Sequence, residues 1–304
     1  MPNTDALSLV RAAVNAWLED YAPSMGAALA YYTIFSIAPL LLIVIAVAGF
    51  FFGADAARGE IIGQLRGLMG EDGARAIEGL LESVHRPGNS AIATLVGVGL
   101  LIVGATTVFA ELQNALDRIW RAPAAKQRSG LWELLRARLL SFGLVLGIAF
   151  LLMVSLVVSA GLSAFARWWS PLFGAWEILA HLTDVLVSLG MTTVMFAMIY
   201  KIIPRASIDW RDVWIGAAFT ALLFTLGKFL IGLYIGKTGV ASAFGAAASV
   251  VVVLVWVYYS AQIFLLGAEF TWVYAHALGS RRNDPQPQAA DPFPRRRDAQ
   301  SALG

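Results

Sequence analysis

The residues of this sequence that could do chemistry are few and widely spaced. Asp184, Lys228 and Glu269 stand within or at the end of long apolar runs. An ionisable side chain at membrane depth is costly, so by default it marks an ion path, a substrate path or a partner. Tyr258 and Gln262 share a helical face with Glu269, and His181 and Ser188 share one with Asp184. Tyr31, Tyr32 and Ser36 come just before Pro39. A proline inside a helix removes one hydrogen bond and bends the chain. This cluster is therefore a candidate gate or kink, with Ser36 placed to cap a freed carbonyl. Other chemistries lack their residues. The absence of cysteine excludes disulfides, thiol nucleophiles, thiolate zinc sites and iron–sulfur clusters. His85, His181 and His276 form no ligand-spaced pair, and no Ser–His–Asp set or paired carboxylates have a recognisable local context. Gly232–Thr238 is one residue short of a phosphate loop and ends an apolar helix where a strand would be required. No catalytic, cofactor-binding or metal-binding residue is assigned.

The elements that must position these residues are set by composition. Of the 304 residues, 59% are hydrophobic and 14% charged, against roughly 45–50% and about 25% in soluble domains. The net charge of +2 excludes a concentrated nucleic-acid-binding field. Six apolar segments are each long enough, at about 20 residues, to cross a bilayer: 27–52, 91–110, 139–166, 178–200, 213–236 and 243–268. Backbone groups in lipid must be satisfied within the segment, so these are helices. The expected fold is an all-α integral membrane protein, a bundle of six transmembrane helices occupying 27–276. With both termini cytoplasmic, fifteen of the 22 basic residues fall on the inner side and six on the outer, as the positive-inside rule requires. Residues 1–26 read as a cytoplasmic interfacial helix carrying Leu7, Val10, Val14, Trp17 and Leu18. In the outer loop, 53–90, one apolar stripe holds Ile61, Ile62, Leu65 and Leu68, and a second holds Ile77, Leu80, Leu81 and Val84. They predict two short amphipathic helices lying on the outer surface. Residues 277–304, rich in proline and arginine, read as a disordered basic cytoplasmic tail.

Depth and phase then sort the polar residues. Lys228 lies roughly 12 Å from the outer end of its span and Asp184 roughly 9 Å from the outer end of its own, so these two could meet. Glu269 falls near the inner end of the last span, too far for Lys228 to reach. Ala217, Ala221, Thr225, Lys228, Gly232 and Gly236 share one small-residue face, the kind on which another helix packs closely. Two readings stay open for each polar residue: hydrogen-bonding glue between helices, or the lining of a hydrated cavity.

Several blocks, in order, carry a resemblance. The run Ala30-Tyr31-Tyr32-Thr33-Ile34-Phe35-Ser36-Ile37-Ala38-Pro39-Leu40 resembles the signature first span of the YihY/BrkB family of bacterial inner-membrane proteins. So do Glu111 to Trp120, with Asn114, and Tyr200 to Pro204. Leu226-Gly227-Lys228, Phe244-Gly245-Ala246, Trp256-Val257-Tyr258 and Leu266-Gly267-Ala268-Glu269 follow. The resemblance covers roughly Trp17 to His276. Asp117 departs from it, since the family pattern has asparagine there. The resemblance implies a six-helix inner-membrane protein with cytoplasmic termini and no established catalytic residues. The family carries two historical labels, a serum-resistance virulence factor and a ribonuclease regarded as misassigned, and a relative has been connected with export of a lipid A precursor.

These residues bear on three functions. A transporter or a flippase for lipids or envelope precursors would use the polar faces and the proline-broken helix. It would meet membrane lipids, including an anionic lipid or envelope precursor, and bind no nucleic acid and no cofactor. The alternative is a non-catalytic scaffold or envelope-integrity factor in which every polar residue is packing. A ribonuclease is rejected, because neither a metal cluster nor a basic groove is present in the sequence.

Overall fold

The computed structural model describes residues 5–84, 107–122, 176–238 and 248–282. Every regular element among them is an α-helix: α1 (Ala6–Glu19), α2 (Ala22–Phe52), α3 (Ala54–Val84), α4 (107–119), α5 (Trp176–Ile202), α6 (Trp210–Thr238) and α7 (Ala248–Ala277). Three described segments are long and apolar enough to cross a membrane: Val185–Ile202, Trp210–Tyr234 and Val250–Ala277. They carry the expected fourth, fifth and sixth spans, and α2 carries the first. The expected third span, most of the second, and the tail beyond Arg282 lie outside the described residues.

Helix α7 is the axis of the assembly. It packs against α1, α2, α3 and α6, while α5 packs against α6. The α6–α7 contact is close because glycines remove side chains from it. A Cβ on Gly216 would collide with Thr271, one on Gly267 with Thr220, and one on Gly227 with Ile263. Those pairings run in opposite directions along the two helices, so α6 and α7 are antiparallel. Backbones approach this closely only where small residues line the seam. The seam follows Gly216, Thr220 and Gly227, not the whole face expected for Lys228. Ala217 and Ala221 are buried, but Gly232 faces open space.

Helix α7 also runs to Ala277, further than the expected span end at residue 268. Glu269 therefore lies inside the helix. Leu278–Arg282 is a folded cap: the Gly279 amide donates to the Tyr274 carbonyl and the Arg281 amide to that of Ala275. These donors satisfy carbonyls that a helix end leaves free, so the boundary expected at residue 277 does not begin a tail.

Between α2 and α3 the chain passes through Gly53 at φ +88, a conformation open to glycine without strain. Helix α3 is helical throughout, yet Arg58 lies 4.0 Å from Glu78 and 3.6 Å from Glu82. Straight helix would separate the first pair by about 30 Å. The segment therefore doubles back, with Gly67, Gly70 and Gly73 in the stretch that turns. Ile62 from one arm and Ile77 and Leu81 from the other form one buried cluster. Its outer layer includes Ile34, Leu41 and Ile45 of α2 and Trp256 of α7. Of the two expected apolar stripes, Ile62, Leu65, Ile77 and Leu81 pack along the flanks of α2 and α7. Their apolar faces find protein to bury against, which removes more surface from water than a flat position would.

Helix α1 also packs on protein. Leu9 and Ala13 are buried against Phe270 and Val273 of α7, with Val10 and Ala16 alongside. Leu7, Val14 and Leu18 point away and are exposed. The helix is docked on protein by one face and keeps a separate apolar stripe.

Candidate functional site

The densest polar architecture among the described residues lies where α1, α4 and α7 meet, hereafter the α1 end. The chain leaves α1 at Asp20, turns through Tyr21 and enters α2 with Pro23 in its first turn. Tyr21 has φ 57, and Arg121, just past α4, has φ 47. These are the two non-glycine residues with positive φ among the described residues, a strained conformation for L side chains. Each adjoins an arginine–aromatic contact. The Arg118 guanidinium lies 5.7 Å from the Tyr21 ring centre, and that of Arg121 4.6 Å from the Trp272 ring centre. Glu269 sits in the middle, 1% exposed. The Glu269 Oε1 has no hydrogen-bond partner among the described residues. Two turns further along α7, Gln262 turns its amide toward Gly26, where any Cβ would collide with it. Neither amide atom of Gln262 has a partner among the described residues. Glu269 and Gln262 thus form a column of buried, incompletely satisfied polar groups on one face of α7.

Around this column the helices are stapled together. The Arg205 amide donates to Asp117 Oδ1 at 2.7 Å, and the Arg205 guanidinium lies 3.5 Å from Asp117 Oδ2. Gln113 donates to the Ile203 carbonyl at 3.0 Å. Asp212, 2% exposed in the first turn of α6, accepts the Ser280 hydroxyl at 2.6 Å and the Ser280 amide at 3.2 Å. Arg281 covers the buried Trp120 ring at 5.3 Å and donates to the Ser207 carbonyl at 2.6 Å. Deeper in, the Tyr200 hydroxyl donates to the Phe264 carbonyl at 2.7 Å and meets Thr220 at 3.0 Å.

A model of the family described as Virulence factor BrkB matches residues 13–292. The chain belongs to the BrkB family. It is 30% identical over 93% of its length to a UPF0761 membrane protein of Pseudomonas paraeruginosa, and 31% identical over 87% to one of Pseudomonas aeruginosa strain LESB58. A third relative, a UPF0761 membrane protein of Stenotrophomonas maltophilia strain K279a, is 28% identical over 88% of the chain. The chain spans 67%, 62% and 60% of the lengths of these three relatives. No solved structure matches it.

The BrkB motif positions are partly explained by this geometry. Gly267 leaves room for Thr220 and the Tyr200 hydroxyl. Trp120 is buried under Arg281, and Pro204 is buried in the α5–α6 connection. Asp117, the departure from the family pattern, carries a charge that matches Arg205. Glu111 is half-buried and Asn114 exposed. Gly245 lies outside the described residues.

The residues singled out in the sequence are not gathered into one site. Glu269 and Gln262 are aligned, whereas Tyr258 is 37% exposed and stands apart. Lys228 is half-buried, with no hydrogen bond or ion pair to the described residues. By the α6–α7 register it lies level with Tyr259, about 15 Å along α7 from Glu269. The side chain of Asp184, and with it the expected Lys228–Asp184 pair, lies outside the described residues. Ser36 donates to the carbonyls of Tyr32 and Thr33 at 3.1 and 3.2 Å. The carbonyl freed by Pro39 is that of Phe35, so Ser36 does not cap it; its hydroxyl reaches back to the preceding turn. Tyr31 is exposed and meets Tyr32 and Phe35 edge-on. The Pro39 ring lies outside the described side chains.

Sequence reasoning missed Asp20, Arg121 and Asp212, and named Tyr200 only as the start of a motif block. The available signal was weak: Asp20 precedes the Tyr-Ala-Pro break between two helices, and Asp212 opens an apolar run. The second pattern does not name Ser280, the distant residue that Asp212 contacts.

Proposed function

We propose that this BrkB family member is a transporter or flippase of the bacterial inner membrane that moves an anionic lipid or envelope precursor and performs no bond-making chemistry. The observation that carries this reading is the buried column of Glu269 and Gln262, polar groups short of partners within a helix long enough to cross a bilayer. Such groups are retained in membranes chiefly where they serve a path. Lys228, half-buried and unpaired among the described residues, supplies a positive charge for an anionic headgroup. In this reading both termini face the cytoplasm, on the charge distribution of the sequence.

The test is the purified protein in liposomes with labelled lipids. Lys228→Met is expected to fold normally and lose movement of anionic lipid, while Lys228→Arg keeps part of it. Full activity in Lys228→Met, or no movement by the wild-type protein, sinks the reading. Orientation is read separately from single cysteines in this cysteine-free chain. An impermeant thiol reagent should label Glu82→Cys in intact spheroplasts and spare Ser207→Cys.

A scaffold or envelope-integrity role has its own support. Trp120, Pro204 and Gly267 are absorbed into packing, as in a protein whose motif positions serve shape alone. Normal membrane integrity in cells expressing only a transport-dead, correctly folded variant would favour it.

A further inference from the structure

Helix α6 keeps one long face away from the protein. Leu222, Leu226 and Phe229 are 60%, 58% and 66% exposed, and Trp214 and Leu233 are exposed with them. At 100° per residue these positions fall within an arc of about 120°. Arg211 and Ala218, both exposed, lie in the same arc. The helix is long and apolar enough to cross a membrane from Trp210 to Tyr234. Its outward face then meets lipid tails over most of its length, and its start lies at headgroup level. Indole rings favour that level, and Trp210 and Trp214 are both exposed there.

The start of this face is also positive. Lys201 donates to the Ile208 carbonyl, and its ammonium lies 5.5 Å from the Trp210 ring centre. The hydrogen bond takes one of three N–H donors and fixes the charge beside the ring. No hydrogen bond, ion pair or ring contact joins the Arg211 guanidinium to the described residues. Nearby arginines differ: Arg205 is paired with Asp117, and Arg281 with the Ser207 carbonyl and Trp120. The N-terminal end of a helix adds partial positive charge. Of the adjacent acids, Asp212 is buried and bonded to Ser280, which leaves the exposed Asp209 as the opposing charge.

We propose that Arg211 and Lys201, with Trp210 and Trp214, hold the headgroup of an anionic phospholipid, its acyl chain lying along Ala218, Leu222 and Phe229. The Arg211 fork matches phosphate oxygens, and Lys201 adds a second charge beside it. A zwitterionic headgroup presents its own cation to the same pair and is held less well. On the charge distribution of the sequence, this end of α6 faces the cytoplasmic leaflet. The site requires that α6 crosses the membrane and does not depend on lipid being moved.

The test uses the absence of cysteine from the chain. Ala218→Cys takes a single fluorophore on the outward face, and the full chain is placed in phosphatidylcholine nanodiscs. These are doped with nitroxide-labelled phosphatidylglycerol or nitroxide-labelled phosphatidylcholine. Phosphatidylglycerol is expected to quench more strongly, and Arg211→Gln to reduce that preference roughly fivefold, the effect of one surface cation. High salt should weaken the preference as well. Arg211 is exposed, so the variant should keep its fold, which circular dichroism and gel filtration check. If it fails to fold, the salt dependence measured with Arg211 in place carries the test. Equal quenching by the two lipids overturns the proposal, as does a preference unchanged in folded Arg211→Gln or insensitive to salt. Absence of quenching by either lipid, as when a second copy covers the face, also overturns it.

Discussion

The α1 end and the α3 hairpin both collect charged residues, and they use them differently. At the α1 end the acids Asp117, Asp212 and Glu269 are buried or half-buried, and two of them reach across the chain, Asp117 to the exposed Arg205 and Asp212 to Ser280. In the hairpin the pairs Arg58–Glu78, Arg58–Glu82, Arg66–Glu71 and Arg75–Glu71 all lie on side chains at least 40% exposed. Exposed ion pairs contribute about 0–1 kcal/mol each. A buried acceptor that loses its donor costs more, because it is left with neither partner nor water. The hairpin is accordingly held by Ile62, Ile77 and Leu81 and decorated by charge, whereas the α1 end joins polar contacts such as Asp212–Ser280 to an apolar core of Leu116, Ile119 and Trp120.

That contrast can be broken at its strongest point first. Gly267→Leu should drive a side chain into Thr220 and Tyr200 and destabilise the protein by more than about 3 kcal/mol. Thermal unfolding in detergent, followed by loss of monodisperse protein, is the measurement. A normal midpoint would mean that the α6–α7 seam can open.

Ile77→Ala is next, since Ile77 is fully buried in the hairpin. It should cost about 2–5 kcal/mol and release the hairpin to protease before the bundle unfolds. Asp212→Ala should cost about 1–3 kcal/mol, through the lost acceptor for Ser280. Adding Ser280→Ala to it should cost less than the two single effects together, because both remove one interaction. The smallest effect belongs to Arg58→Ala. Although it breaks two ion pairs, its cost should stay below about 1 kcal/mol and vanish in high salt. A larger, salt-resistant loss would place Arg58 in a drier setting than its exposure implies.

Much of the fold was legible because lipid imposes a simple rule. A backbone in hydrocarbon must bond to itself, so the positions of α2, α5, α6 and α7 follow from runs of apolar residues with few charges. The hairpin's two stripes were legible for the same local reason: apolar residues three or four apart share a helical face. Where those stripes would be buried was not, since a helix has no preference between a lipid surface and the flank of a neighbour until that neighbour is in place. Helix α1 shows this directly. Of the expected stripe, Leu7, Val14 and Leu18 stay exposed, while Leu9 and Ala13, outside that stripe, are the residues that dock on Phe270 and Val273.

The candidate site was legible only in part. Glu269 was conspicuous as an acid at the end of an apolar run, and Gln262 followed from helical phase. Arg121, whose guanidinium lies over the Trp272 ring three residues further along α7, is about 150 positions away from Glu269 in the sequence, and no periodicity links them. By itself the sequence determined the helices, their apolar faces and the exclusion of thiol chemistry, because these depend on residue type and short-range spacing. Only the tertiary structure decided which charges were buried together, because desolvation and pairing act through distances in space that helix packing sets.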